Sequence, residues 1–244
     1  MTQGDDLDRS MTALVEYQIR AENTSMPQWL EVWSRRADDA LLGEPETGAY
    51  AAAVNVEEPS HVLVFERYDK GRSSVKAHVE RPAHKALTDD MGARNMTRRR
   101  VLSASFYDVP EFGWWSRPAQ TAGTAEGAVI VVLGFRFPND ALRDAYLELS
   151  GEHASYCWAQ EPDTLIYSCG IAAADADREL DLLQGDMVFV MACTDMQAVD
   201  KHANDPRHLA LGPKFEALGL QLEPTFMRTY ATSGKGYLWR DEAA

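Results

Sequence analysis

The strongest constraint on the fold is that the chain resembles itself. Shifted by 124 positions, Val64 falls on Val188, Phe65 on Phe189, His78 on His202, Pro82 on Pro206, His84 on His208 and Leu87 on Leu211. Within these matches lies an HxxxPxH pattern, His78 to His84 and His202 to His208, which holds four of the six histidines. A repeat of this span predicts two copies of one small domain.

Each copy reads as strand, helix, strand, strand, helix, strand. In the first, Ala13–Arg20 alternates apolar and polar residues as a two-faced strand does, and His61–Tyr68 is rich in β-formers. In the second, residues 128–137 and 186–192 are almost wholly apolar, as in strands covered on both sides. Further strands are predicted near 101–107 and 225–231. Ser25 and Gln28 form a capping box ahead of Trp29, Trp33, Ala37 and Leu41, and Gly43 ends that helix. Asn139 caps a helix, expected to be shorter, with Leu142, Ala145, Tyr146 and Leu149 on one face. The second helix of each copy must break at its proline. The fold class is therefore α+β: two fused ferredoxin-like βαββαβ domains, over 11–109 and 128–233, whose sheets form an intramolecular dimeric α/β barrel. Residues 110–127 read as a linker, 1–10 and 234–244 as frayed ends, and the acidic stretch 174–181 as a solvated turn or helical insertion.

Charge narrows the function. With 24 Lys+Arg against 38 Asp+Glu, a net charge of −14 repels nucleic acid and anionic lipid surfaces. The basic run Arg98-Arg99-Arg100 reads as a solvated face. The three cysteines, Cys157, Cys169 and Cys193, have no CxxC spacing, so neither a disulfide framework nor a zinc knuckle is expected. The unpaired cysteine pattern fits a reducing cytoplasm, and with no signal-like start or long apolar run a soluble, unexported protein is expected. Dinucleotide, P-loop and nucleophile-elbow motifs are absent.

Glu66-Arg-Tyr68, then His78, then Pro82-Ala-His84 resembles the ExW…H…PH segment of the antibiotic biosynthesis monooxygenase family, small dimeric α/β-barrel proteins. Two copies of that family's domain would span nearly the whole chain. Chains of this tandem form resemble the oxygenases that open a ring of angucycline-type polyketides. The resemblance implies a monooxygenase of antibiotic biosynthesis, acting on a polycyclic aromatic polyketide with dioxygen. No cofactor would be tightly bound; reduced flavin, FADH2 or FMNH2 from a flavin reductase, would serve as a diffusible co-substrate. Cofactor-free quinone-forming relatives pair an asparagine with a tryptophan four residues on, where Val64 and Tyr68 stand here. Haem-degrading relatives carry tryptophan and histidine where His78 and Thr88 stand.

Oxidising a phenol calls for a base, a flat apolar slot and donors for oxygen-centred charge. The candidates are His78 as base, Tyr68 and Arg20 as charge-holding groups, and His84 beside them, with His202 and His208 if the second half is active. The competing reading makes these histidines helix caps. Glu66 and Arg20 read equally well as a buried structural couple. For the slot, the candidates are Trp29, Trp33, Trp114, Trp115 and Trp158. At their helical spacing Trp29 and Trp33 read first as core and only second as slot, and Trp114-Trp115 reads either as a lid or as glue between the halves. The first half, which keeps Glu66 and Tyr68, is the favoured catalytic one over the second, where Val190 and Ala192 are aligned. Metal is not expected, because the six-residue histidine spacing is not a helical zinc pair and no HExxH completes it. The rivals are a cofactor-free oxygenase, cyclase or decarboxylase on this scaffold, and a non-catalytic binder of an aromatic ligand. Two copies could also pair as a homodimer through an exposed sheet edge.

Overall fold

Both halves follow the order the sequence predicts. The computed structural model describes residues 8–117, 126–178, 180–220 and 223–240. The first half runs β1 (Met11–Ile19), α1 (Met26–Gly43), β2 (Thr47–Asn55), β3 (His61–Tyr68), α2 (Gly71–Glu80), α3 (Pro82–Ala93) and β4 (Thr97–Asp108). The second runs β5 (Glu126–Phe135), α4 (Asp140–Gln160), β6 (Thr164–Ala172), β7 (Asp177–Arg178), β8 (Met187–Cys193), α5 (Met196–Ala203), α6 (Pro206–Leu209), α7 (Leu211–Ala217) and β9 (Phe226–Tyr237). Pro82 and Pro206 begin the helices after each break, where the missing N–H is harmless. The capping box at Ser25 is formed. Helix α4, 21 residues long, is longer than α1 with 18, against the shorter length expected.

Strand order shows how the halves join. Each contributes four antiparallel strands, β4-β1-β3-β2 and β9-β5-β8-β6, and β2 pairs with β9 while β4 pairs with β6. The eight strands thus close into one barrel, and β7 adds to β4. Its interior is a shared core, with Leu14, Phe65 and Phe106 from one half against Ile130, Val188 and Val190 from the other. Two charged groups sit among them. Glu16 accepts from Asn55 Nδ2 at 2.9 Å and Tyr230 OH at 3.0 Å. Arg67 forks onto Asp108 at 2.9 and 3.1 Å under the ring of Trp115. Among its described residues the acidic stretch holds β7 rather than a helix, and it is not wholly solvated, since Leu180 is buried in this core.

Register corrects the repeat. Val64 packs under the helices while Val188 faces the barrel interior, and Phe65 and Phe189 are reversed in the same way. The 124 shift therefore fails across β3 and β8, because a one-residue slip inverts every side chain of a strand. Tyr50 pairs with Glu66 and Tyr167 with Met191, which makes Met191 the counterpart of Glu66 and Phe189 that of Val64. Around α1 and α4 the shift is 117.

The chain ends are not frayed where they meet the barrel. β9 continues to Tyr237, and Leu238 and Trp239 are buried. Arg240 donates through Nε to Thr47 O at 2.9 Å and through Nη2 to Ala40 O and Glu44 O at 2.7 and 2.6 Å. Arg117, in the stretch read as linker, does the same for the other half. It donates to Thr164 O at 2.6 Å and to Cys157 O and Glu161 O at 3.1 Å. Each half's tail thus crosses to close the helix end of the other. Gly113 and Gly236 make the crossing possible: both have positive φ, and a Cβ there would meet the carbonyl oxygen of Tyr167 or Tyr50 within 2.0 Å. The rest of that stretch, 118–125, lies outside the described residues, as do 1–7 and 241–244.

One guanidinium satisfying the last carbonyls of a helix implies a measurable cost of removal. Arg240→Ala is expected to lower stability by about 2 kcal/mol, read as an earlier midpoint in urea unfolding. Arg240→Lys should recover little, because an ammonium cannot reproduce the fork.

Candidate functional site

A cavity of about 260 Å³ opens in the first half between the outer face of the sheet and helices α1 and α3. The spacing of α1 puts Trp29 and Trp33 on its inward face, their rings stacked at 6.4 Å. Tyr17, Tyr50, Val64 and Glu66 come from the strands, and His84, Leu87 and Met91 from α3. The polar groups are few. His84 Nδ1 is buried with no hydrogen-bond partner, and burial, with His78 and Arg36 nearby, lowers that ring's pKa, which keeps it neutral. Glu66 accepts from Tyr68 OH at 2.5 Å. Burial raises its pKa despite the opposing pull of His78, Tyr68 and Arg36. Burial and the same Glu66 raise Tyr17 and Tyr50 in turn.

Behind His84 stands a buried ion network. His78 packs edge-on against His84, Tyr50 and Tyr68, with centroids 4.9 to 5.5 Å away. Its Nδ1 is 2.7 Å from Glu44 Oε2 and 2.8 Å from Arg36 Nη2. With a proton there it donates to Glu44; without one it accepts from Arg36. Glu44 caps the C-terminus of α1 and also receives Thr47 OH at 2.8 Å, Arg81 at 3.2 Å and Arg36. Burial alone would raise its pKa, but His78, Thr47 and Arg36 hold it at about 2.

The second half repeats the frame and fills the cavity. Glu161 caps α4, accepts Thr164 OH at 3.1 Å and faces His202 Nδ1 at 2.7 Å, again with its pKa held at about 2 against burial by His202, Cys157 and Thr164. Where Trp29, Met91, Val64 and Glu66 line the first cavity, Tyr146, Phe215, Phe189 and Met191 stand. Tyr146 stacks on Phe215 at 4.9 Å and packs on Phe135 and Phe137.

No known family profile matches the sequence, and no curated protein matches it. Solved structures do. A proposed monooxygenase from Lactobacillus acidophilus NCFM superposes with TM-score 0.67 at 10% identity, over 96% of this chain and 100% of its own. A proposed monooxygenase from Fusobacterium nucleatum gives 0.66 at 10% identity, over 97% and 99%. An anthrone oxidase-like protein gives 0.52 at 13% identity, over 97% of both chains. The chain has the fold of these two-domain proteins. The expected duplicated ferredoxin-like barrel is the observed architecture.

The structure sorts the candidates plainly. Trp29, Trp33 and His84 line the cavity. Tyr68 stands one step behind, through Glu66, and His78 behind His84. Arg20 does not pair with Glu66; it lies 3.4 Å from Glu22. His202 and His208 sit in the filled half. Trp114 and Trp115 are glue rather than lid. Trp114 stacks on Tyr167 and meets Trp158 edge-on, whereas Trp115 packs into the barrel core under Arg67. Arg36, Glu44, His153 and Glu161 were missed. A second repeat announces the two carboxylates: Glu44-Pro-Glu-Thr47-Gly-Ala-Tyr50 against Glu161-Pro-Asp-Thr164-Leu-Ile-Tyr167.

Both capping carboxylates are depressed from 4.5 to about 2. Their contribution to stability is therefore complete above pH ~4.5 and is lost as pH falls towards 2. Glu44→Gln should flatten the fall in unfolding free energy across that window, measured by urea titrations at successive pH values, and should lower stability at neutral pH.

Proposed function

We propose that this protein is an oxygenase that takes one flat polycyclic phenol, of the aromatic polyketide kind, into the first-half cavity. The observation that carries this reading is the pairing of stacked indoles with a neutral His84, its Nδ1 unpartnered, and a part-buried Glu66 at one opening. Trp29 and Trp33, buried and stacked on each other, form the apolar wall against which a planar ring would pack. His84 Nδ1 accepts the phenolic or enolic proton, and the developing oxyanion lies against the Tyr17 and Tyr50 hydroxyls. Glu66, whose acid form burial favours, returns a proton to oxygen, and Tyr68 holds its other face. His78 and Arg36 position His84 and are not expected to touch the substrate.

The electrons have two sources to consider. An anthrone-type methylene gives up two hydrogens and gains one oxygen atom while the other atom of dioxygen leaves as water, so the substrate supplies both electrons. Reduced flavin from a partner reductase would serve a hydroxylation or an angucycline-like ring opening. A space of about 260 Å³ is at the small end for ligand sites, roughly 300–1,000 Å³, and suits one ring system better than a ring system beside an isoalloxazine. This favours the cofactor-free reading.

Oxygen uptake with a tricyclic anthrone, with and without reduced flavin and a reductase, tests the proposal. Turnover without flavin is expected. His84→Ala should lower kcat by roughly 10²–10⁴-fold with a smaller change in KM, and Glu66→Met, which installs the second-half residue, should also abolish turnover. Unchanged turnover in folded His84→Ala would remove His84 from the mechanism, and absence of ligand binding would remove the function.

A further inference from the structure

The filled second half contains a cluster that the proposed oxygenase chemistry does not use. His153, His202 and His208 each bring a ring nitrogen within 4.8 Å of the others, their centroids 4.6 to 5.4 Å apart. Cys157 Sγ borders them, 3.4 Å from His153 Nε2. His153 and His202 are buried, and His208 is partly exposed.

Comparison with the first half shows what this cluster replaces. His202 and His208 match His78 and His84, but His153 stands where Arg36 is, Cys157 where Ala40 is, and Asp205 where Arg81 is. Two guanidinium groups are gone and imidazole and thiol donors have come in. Glu44 uses both oxygens, Oε1 towards Arg36 and Arg81 and Oε2 towards His78 and Thr47. Glu161 keeps the second set and adds the Cys157 thiol, with no arginine side chain on its carboxylate among the described residues. Its Oε1 is buried without a partner, and so is His208 Nδ1. A buried carboxylate at a helix C-terminus has thus lost both of its arginines and faces three imidazoles.

We propose that the second half binds a zinc-class divalent cation through His153, His202 and His208, a site the first half lacks. Three imidazoles suit a borderline ion such as Zn2+ or Co2+ at about 2.0–2.1 Å from each nitrogen. Glu161, 2.7 Å from His202 Nδ1, fixes that ring so that Nε2 is its free donor, the carboxylate–histidine–metal arrangement. The cation takes over the charge that Arg36 and Arg81 supply in the first half. Cys157 Sγ, 3.4 Å from His153 Nε2 and 3.8 Å from His202 Nδ1, is the neighbouring thiol; were it to join as a fourth ligand, it would give up its proton on binding.

The full chain, stripped with chelator, is titrated with Co2+ and followed by visible absorption and calorimetry. One equivalent per chain, with the d–d bands of a tetrahedral ion, is expected, together with a raised melting temperature. His153→Arg, which places the first-half residue at the matched position, should weaken Co2+ binding by more than about tenfold. Should His153→Arg fail to fold, His208→Gln, at the partly exposed edge, should give the same loss. Absence of stoichiometric binding, two equivalents per chain, or wild-type affinity in a folded variant of either kind would overturn the site. None of these results bears on turnover in the first-half cavity.

Discussion

A carboxylate at the end of a helix faces the negative pole of the backbone dipole, and burial adds the loss of its water. Each half of this protein contains such a group, Glu44 and Glu161, and much of the surrounding architecture answers it. The hydroxyl of the next strand, the histidine of the broken helix and the tail of the opposite half all converge there. This explains why the HxxxPxH motif persists in both copies although bulky side chains stand at the matched cavity positions of the second. The first histidine anchors the carboxylate, and the proline turns the chain so that the second histidine faces the sheet.

From that common frame the halves have gone separate ways. The first kept indoles, a small Val64 and an ionisable Glu66, which leaves space and unpaired polar groups at some expense in packing. The second put Tyr146, Phe189, Met191 and Phe215 into the same positions. Division of labour of this kind needs the two halves on one chain, because two identical chains would carry two cavities or none.

Much of the fold was legible because periodicity and turn chemistry act locally. The strands, the capping box at Ser25 and the breaks at Pro82 and Pro206 stand where the residues place them. Register was not legible. Val64-Phe65 and Val188-Phe189 match letter for letter inside apolar runs, yet a slip of one residue sends them to opposite faces, and only the pairing of Tyr50 with Glu66 and Tyr167 with Met191 shows it. Spacing placed Trp29 and Trp33 on the buried face of α1, and the repeated motif marked His84; that the three meet at one cavity was not legible. The buried partners Arg36 and His153 were not, since each lies in a different helix from the histidines it meets. The second repeat of Glu, Thr and Tyr at a shift of 117 was visible all along, masked by the unequal connection between β6 and β8.

The crossing tails bear on where this chain came from. Arg117 and Arg240 perform matched tasks on opposite halves, so in an ancestor built from separate identical subunits each subunit would have sealed its neighbour and been left unsealed alone. Such a subunit has no reason to exist as a monomer. Joining two such subunits end to end would replace a concentration-dependent equilibrium with a permanent tether and let a mutation alter one copy while sparing the other.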